Sequence, residues 1–174
     1  GAARTLKQED ADAISKEVSQ VKAVAPELSG RYQVTAKGTN TNTSVVGTVD
    51  AYPIVRNVEI DLGNFITAQS VASIAKVAVL GPTTRDDLFG SGTDPIGQTV
   101  RIKNIEFKII GVTKAKGGSG FGSQDDMIYI PLSSAQRYLA GEAYVTTISV
   151  QAVDAASMSG VQQAITAPLL SRHH

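Results

Sequence analysis

Arg31-Tyr32-Gln33-Val34-Thr35-Ala36-Lys37 sets Tyr32, Val34 and Ala36 against Gln33, Thr35 and Lys37 in strict alternation. A period of two lays one face of an extended chain on a core and leaves the other in water, so this stretch reads as a half-buried strand. The polar run Gly38-Thr39-Asn40-Thr41-Asn42-Thr43 reads as a turn, and residues 44–49 return as a second strand, which together predict a long hairpin. The triplet Asn42-Thr43-Ser44 has the form of a glycosylation sequon and is read as part of that solvated turn.

Upstream of the hairpin, Thr5 and Gln8 have capping-box spacing, and Ile14, Val18 and Val21 recur at helical spacing. An amphipathic helix is expected over residues 6–19, leaving through a short strand at 21–25, with Pro26 as a stop to any helix. At the other end, residues 145–153 predict a strong strand. A last helix starts near Ala155, carries Met158, Val161, Ile165 and Leu169 on one face, and is frayed or kinked by Pro168. Each helix offers an apolar stripe too narrow to be stable alone, and the strands of 31–49 and 145–153 are the only long sheet on which both can lie. The two ends of the sequence therefore make one α/β layer.

Between them the texture changes to short strands broken by Gly and Pro. Residues 76–80 form a buried strand ended by Gly81-Pro82, with Pro82 opening a short helix through Leu88 and Phe89. Residues 99–102 and 106–112 form a hairpin turning at Lys103-Asn104. A Gly-rich stretch over 114–124 precedes a strand at 127–130, which Pro131 ends, and Ser133 caps a short helix to about Leu139. The fold class expected is α+β and two-lobed. Residues 1–52 and 139–174 build the α/β lobe, and residues 53–138 are inserted as a β-rich lobe.

Composition excludes most chemistry. The 174 residues hold 16 Lys plus Arg against 16 Asp plus Glu, so no broad positive field is available to hold a phosphate backbone, and nucleic acid is not an expected partner. There is no Cys, and the two His are the last two residues, His173 and His174, which leaves no thiol nucleophile, no Cys/His metal set and no His-dependent triad. Aromatic residues make up 5% with no Trp, so few stacking platforms exist. No apolar run approaches the roughly 18 residues of a membrane span. The domain is expected to be no enzyme and to need no cofactor or metal.

The most conspicuous segment is Lys114-Ala115-Lys116-Gly117-Gly118-Ser119-Gly120-Phe121-Gly122-Ser123-Gln124-Asp125-Asp126. A phosphate-binding loop needs Gly-Lys-Ser/Thr at the mouth of a helix, whereas this run leads into a strand beginning at two acids. Two readings stay open: a plain connection between strands, or a loop that docks a partner and transmits a conformational change. On the second reading Lys116, Gly117, Gly118, Ser119, Phe121, Gln124, Asp125 and Asp126 are the candidate residues. Phe121 is the apolar anchor, and Asp125 with Asp126 face basic groups on the partner. The neighbouring acids Asp86-Asp87 and Asp125-Asp126 diverge on a helix or a strand and do not converge on a substrate, so they read as capping or solvated charges. Ser119, Ser123 and Ser133 lack a His to activate them; a Lys-assisted hydrolase using Lys114 or Lys116 would need a buried amine.

Many short blocks, in order and spacing, carry a family resemblance. They include Leu6-x-x-Glu9-Asp10-Ala11, Val21-x-x-Val24-Ala25-Pro26, Val46-Gly47-Thr48, Val55-Arg56-Asn57 and Gly63-x-Phe65. They continue with Val77-Ala78-Val79-Leu80-Gly81, Pro95-Ile96-Gly97-Gln98, Phe107-x-Ile109-Ile110-Gly111-Val112, Gln124-Asp125-Asp126, Tyr129-Ile130-Pro131 and Leu170-x-Arg172-His173. The chain resembles the periplasmic core domain of MacB-type ABC transporter permeases over nearly all of residues 6–173.

That resemblance implies a domain on the periplasmic or extracytoplasmic side of the bacterial inner membrane, with a porter-like lobe from both ends and an inserted β-rich, Sabre-like lobe. It implies as partners the rest of its own permease, with membrane helices and cytoplasmic ATPase, a second permease copy, and a periplasmic adaptor protein. The function implied is coupling of ATP hydrolysis to export or mechanotransmission across the envelope. Lipoprotein release and peptide sensing are the alternatives within the family, and a stand-alone solute-binding module is the rival outside it. Both ends of the domain are expected to leave on one face, at the base of the α/β lobe.

Overall fold

The computed structural model describes residues 21–117, 123–140 and 147–152. The helices expected over 6–19 and from Ala155, and the two chain ends, lie outside the described residues.

The expected hairpin is present as β1 (Val21–Ala36) and β2 (Thr39–Thr48), antiparallel from Leu28 opposite Gly47 to Ala36 opposite Thr39. Val34 and Ala36 are buried while Arg31, Gln33 and Thr35 are exposed, as the alternation requires. Its turn is much tighter than the polar run suggested. Lys37 and Gly38 both take positive φ, 51° and 75°, the two-residue mirror-image turn whose twist matches that of paired strands. Thr39 to Thr43 are thereby strand residues, and Asn42 stands opposite Gln33 with its Oδ1 accepting from Arg31 Nε at 3.0 Å.

A second correction concerns the strand expected over 21–25, which continues through Pro26. The chain does not break there, because β1 runs unbroken from Val21 to Ala36. Proline forbids a helix interior but is compatible with extended backbone where one ladder N–H can be spared. Pro26 sits where β1 changes partners: Val21 to Glu27 pair with β8 (Thr147–Ala152), and Leu28 onward pairs with β2.

After β2 come α1 (Tyr52–Arg56), β3 (Ile60–Gly63), α2 (Ala68–Ala72), β4 (Val77–Leu80) and α3 (Pro82–Phe89), which Pro82 opens as expected. β5 (Thr99–Ile102) and β6 (Ile105–Thr113) form the second hairpin, turning at Lys103 and Asn104 with φ of 50° and 65°. β7 (Met127–Pro131) leads into α4 (Leu132–Ser134), which continues as a π-helical stretch, Ala135–Ala140. Ser133 does not cap this element, since its hydroxyl donates to Val71 O of α2 at 2.5 Å.

The sheet closes on itself. β2 pairs with β7 in parallel, β7 with β4, β4 with β6 in parallel, β6 with β5, β5 with β1, and β1 again with β2. β3 pairs with β6 outside that circuit. Every strand of the circuit sends alternate side chains into one buried cluster: Val34 and Ala36, Val45, Ala78 and Leu80, Val100 and Ile102, Phe107 and Ile109, Ile128 and Ile130. The intervening residues Val46, Val79 and Tyr129 point the other way, into a second cluster with Ala25, Tyr52, Val58, Phe65 and Ile66. β2, β4 and β7 are therefore buried on both faces, which is why 77–80 and 127–130 read as continuous apolar runs.

The hairpin that the sequence assigns to the terminal layer thus lies in the closed sheet. Only the part of β1 that precedes it, Val21 to Glu27, meets β8, because side-chain periodicity, and not pairing partners, is written locally. Truncating Ile130→Ala, fully buried inside the circuit, should cost about 2–5 kcal/mol in chemical denaturation, whereas Ile54→Ala on the surface should stay within about 0.5 kcal/mol.

Candidate functional site

The base of the Gly-rich loop is built by Asp125. This residue is 7% exposed, and its two carboxylate oxygens accept the backbone N–H groups of Lys116 at 2.7 Å and Gly117 at 2.9 Å. Two successive N–H groups can converge on one carboxylate because Gly117 takes a φ of 85°, a conformation open to glycine at little cost. The Asp125 N–H donates to Ser123 Oγ at 3.2 Å, and the Asp125 carbonyl accepts Thr83 N–H of α3 at 2.9 Å. Gly81 lies so close to that carbonyl that an added Cβ would overlap it, which fixes the start of α3 against the loop.

Asp126 faces elsewhere, because the chain turns here, the Asp126 N–H bonding to Ser123 O at 3.1 Å before β7 begins. Its Oδ1 accepts the hydroxyls of Thr43 at 2.7 Å and Thr84 at 3.1 Å, both fully buried, and so ties β2 to α3. Both acids thus have partners within the chain, in the capping manner the sequence allowed. Lys116, Gly117, Asp125 and Asp126 are brought together at the loop base; Gly118, Ser119 and Phe121 lie outside the described residues.

Lys116 reaches away from the acids. Its Nζ donates to Arg56 O at 2.9 Å and Asn57 O at 2.6 Å, the carbonyls that end α1, where a cation also meets the negative end of the helix. Arg56 in turn donates through Nε and Nη2 to Oε2 of Glu27 at 3.3 and 3.1 Å. The Glu27 side chain is 5% exposed and that of Arg56 40%, so a nearly buried carboxylate meets a guanidinium at the surface. The Arg56 guanidinium also stands 5.9 Å from the Tyr52 ring centre. Glu27 and Arg56 went unmarked in the sequence, since nothing in local spacing links residues 29 positions apart.

Beneath these groups lie three rings. Tyr52 stacks on Phe65 with centroids 6.0 Å apart, and Tyr129 tilts against both at 5.0 and 5.4 Å. Gln124, the other candidate of the loop base, places a buried Oε1 here without a hydrogen-bond partner among the described residues. Burial first, and then the charge of Glu27, raises the Tyr52 hydroxyl above its ordinary value; burial, followed by Tyr52 itself, raises Tyr129 further.

The remaining candidates separate from this site. Asp86 Oδ1 accepts from Arg85 Nε at 2.6 Å and Gly92 N–H at 3.2 Å, while partial burial, then Asp126 and Asp86, raises the carboxyl of Asp87. The amines of Lys114 and Lys116 are at the surface, Lys114 lying 3.5 Å from Glu59, so neither is the buried base a Lys-assisted hydrolase requires. An open groove of about 270 Å³ lies where β1 and β5 part, lined by Thr35, Lys37, Thr99, Arg101 and Glu106. It is not the enclosed pocket expected of a solute receptor.

A mixed α/β fold dominated by one sheet is also the fold of extracytoplasmic domains of ABC-type transporters. The periplasmic region of MacB from Actinobacillus actinomycetemcomitans superposes with a TM-score of 0.82 at 23% identity, covering 98% of this chain and 75% of that one. The extracellular domain of the noncanonic ABC-type transporter YknZ from Gram-positive bacteria does so at 0.79 and 21% identity, covering 97% and 84%.

The chain belongs to the MacB-like periplasmic core domain family, whose pattern matches residues 1–167. Among curated relatives, the macrolide export ATP-binding/permease proteins MacB of Bdellovibrio bacteriovorus and of an Azoarcus species are 34% and 36% identical over 95% and 97% of the chain. The chain spans about a quarter, 25% and 26%, of the length of those relatives. It is the periplasmic domain of a permease of this kind and not its ATPase, and an extracytoplasmic location fits it. No helix among the described residues is long and apolar enough to cross a membrane.

The tyrosines give this site a pH signature. A phenol whose folded value is raised contributes stability that is present below the ordinary value of 10.0 and lost as pH rises above it. In an alkaline titration the phenolate absorbance of Tyr52 and Tyr129 should therefore appear only together with loss of the far-ultraviolet circular dichroism. All five tyrosines ionising with that signal intact would contradict the burial described.

Proposed function

We propose that this domain couples cytoplasmic ATP hydrolysis to export or to mechanical transmission across the envelope, by docking a periplasmic adaptor through the loop of residues 116–126. The observation that carries this reading is the clasped loop base on a closed sheet, in a chain of this family: a Gly-rich excursion whose two feet are held by Asp125. Glycine-rich backbone has little local stability of its own, so it can order against a partner at modest cost, while a fixed base gives that ordering a direction. On this reading the domain acts through contact, with no catalytic group or cofactor of its own. Its partners are the membrane helices and ATPase of its own permease, a second copy of that permease, and the adaptor.

The same reading divides the molecule into two lobes. Residues 1–52 and 139–174 form a porter-like lobe, and residues 53–138 a Sabre-like lobe inserted between them. β1 belongs to both, because its first part pairs with β8 while the rest of it, together with β2, lies in the closed sheet. It is the mechanical continuity between the lobes.

Deleting residues 118–122 in the transporter that contains this chain should leave folding and basal ATPase activity nearly unchanged while transport is lost. Transport that persists at the parental rate would reject the loop as the docking element.

A further inference from the structure

Four polar links lie end to end between the strand that meets β8 and the loop. Glu27, on β1 opposite Thr147 of β8, binds Arg56 at the end of α1. The carbonyls of Arg56 and Asn57 hold the Lys116 ammonium. The N–H groups of Lys116 and Gly117 close on Asp125, and the Asp125 carbonyl holds α3 through Thr83. Each member touches the next, and no member is a neighbour in sequence of the one before it except where the chain itself carries the link.

We infer that Lys116 and Asp125 are positioning residues, which set the loop relative to the β1–β8 strand pair through Arg56 and Glu27. The inference rests on the reading of the loop as the working surface. It changes what its charged residues do: Asp125 closes the loop and Lys116 tethers it to α1, so neither is a free contact for a partner. The strongest constraint is at the far end. Glu27 is nearly buried, and a carboxylate there needs its cation, so a movement of β1 that carries Glu27 carries the Arg56 guanidinium with it. α1 is a single short element capped by Asn57, which takes φ of 55° with its N–H bonded to Pro53 O. Displacing Arg56 therefore displaces the two carbonyls that hold Lys116, and the loop base follows. The neighbouring strands β2, β4 and β7 are packed on both faces and do not share this freedom.

The test is residue-resolved amide hydrogen exchange on the 174-residue chain, which reads the tether without any transport assay. Lys116→Met removes the ammonium from an exposed side chain and keeps its length. It should raise exchange at Gly117 about threefold or more, and with it the Val58 amide that caps α1, while amides of β5 and β6 exchange as in the parent chain. Arg56→Met should do the same from the other side, and Arg56→Lys should restore most of the protection. Where Arg56→Met fails to fold, Glu27→Gln replaces it, since the neutral amide releases Arg56 without leaving a buried charge.

Links acting in series predict that the Arg56→Met, Lys116→Met pair exchanges no faster at Gly117 than the larger single variant. Multiplying effects, or a Gly117 amide unmoved by either substitution, overturn the tether. Loss of transport on deleting residues 118–122 with an unmoved Gly117 amide would leave the docking loop standing without it; a coupled amide with unaffected transport would reject docking and keep the tether.

Discussion

Closure of the sheet by β1 is the constraint from which the other features follow. A two-stranded hairpin alone is marginal in water, and an open sheet of this length would leave two edges of unpaired N–H and C=O groups. β1 resolves both by pairing with β2 along nine residue pairs and with β5 at the far side of the circuit. The seam with β5 is short, Val34 opposite Ile102 and Thr35 opposite Arg101, yet Val34 and Ile102 are fully buried. The circuit is therefore held at that point by packing of side chains inside it as much as by the ladder. Each fully buried residue of this size contributes about 1.5–3 kcal/mol.

A closed circuit leaves only its outer face for function, and that face is not uniform. On β2, β4 and β7 it is covered by Tyr52, Phe65, Val58 and Ile66, which form the second core. α1 supplies Tyr52 inward to that core and Arg56 outward to Glu27, so one short element serves packing and charge at once. The Gly-rich loop leaves the circuit between β6 and β7 beside α1. Its base is thus seated on the best-packed strands of the molecule, and its polar contacts run toward the part of β1 that has left the circuit for β8.

Much of this was legible from the chain because periodicity and turn chemistry are local. The alternation at Tyr32, Val34 and Ala36, the Pro82 helix start and the Lys103-Asn104 turn all stand as read. The Thr/Asn run after Gly38 misled because those residues serve equally as turn formers and as the wet face of a strand; the deciding fact, positive φ at Lys37, is invisible in composition. The strand expected at 21–25 runs longer, since a proline that ends helices is indifferent to extended chain. The parallel pairs β2–β7 and β4–β6 join segments far apart in sequence, and nothing local records them. At the site the acids were legible as caps, while the Glu27–Arg56 pair was not, because a charged residue in a buried strand announces a partner without naming it.

The adjacent acids show how a two-residue step distributes mechanical roles. The turn that precedes β7 sends Asp125 and Asp126 to different partners, so one holds the loop and the other, through Thr43 and Thr84, holds the sheet to α3. Hydrogen bonds to a charged acceptor contribute about 1.5–3 kcal/mol each, roughly twice a neutral one, so these two side chains hold the loop base firmly. An asparagine at either position would keep the shape and lose that strength. A partner that reaches this joint also meets α1, where Ile54 is 52% exposed on the same short element whose last carbonyls hold Lys116. Loop base and helix share one surface at that point, and the same helix reaches Glu27 through Arg56.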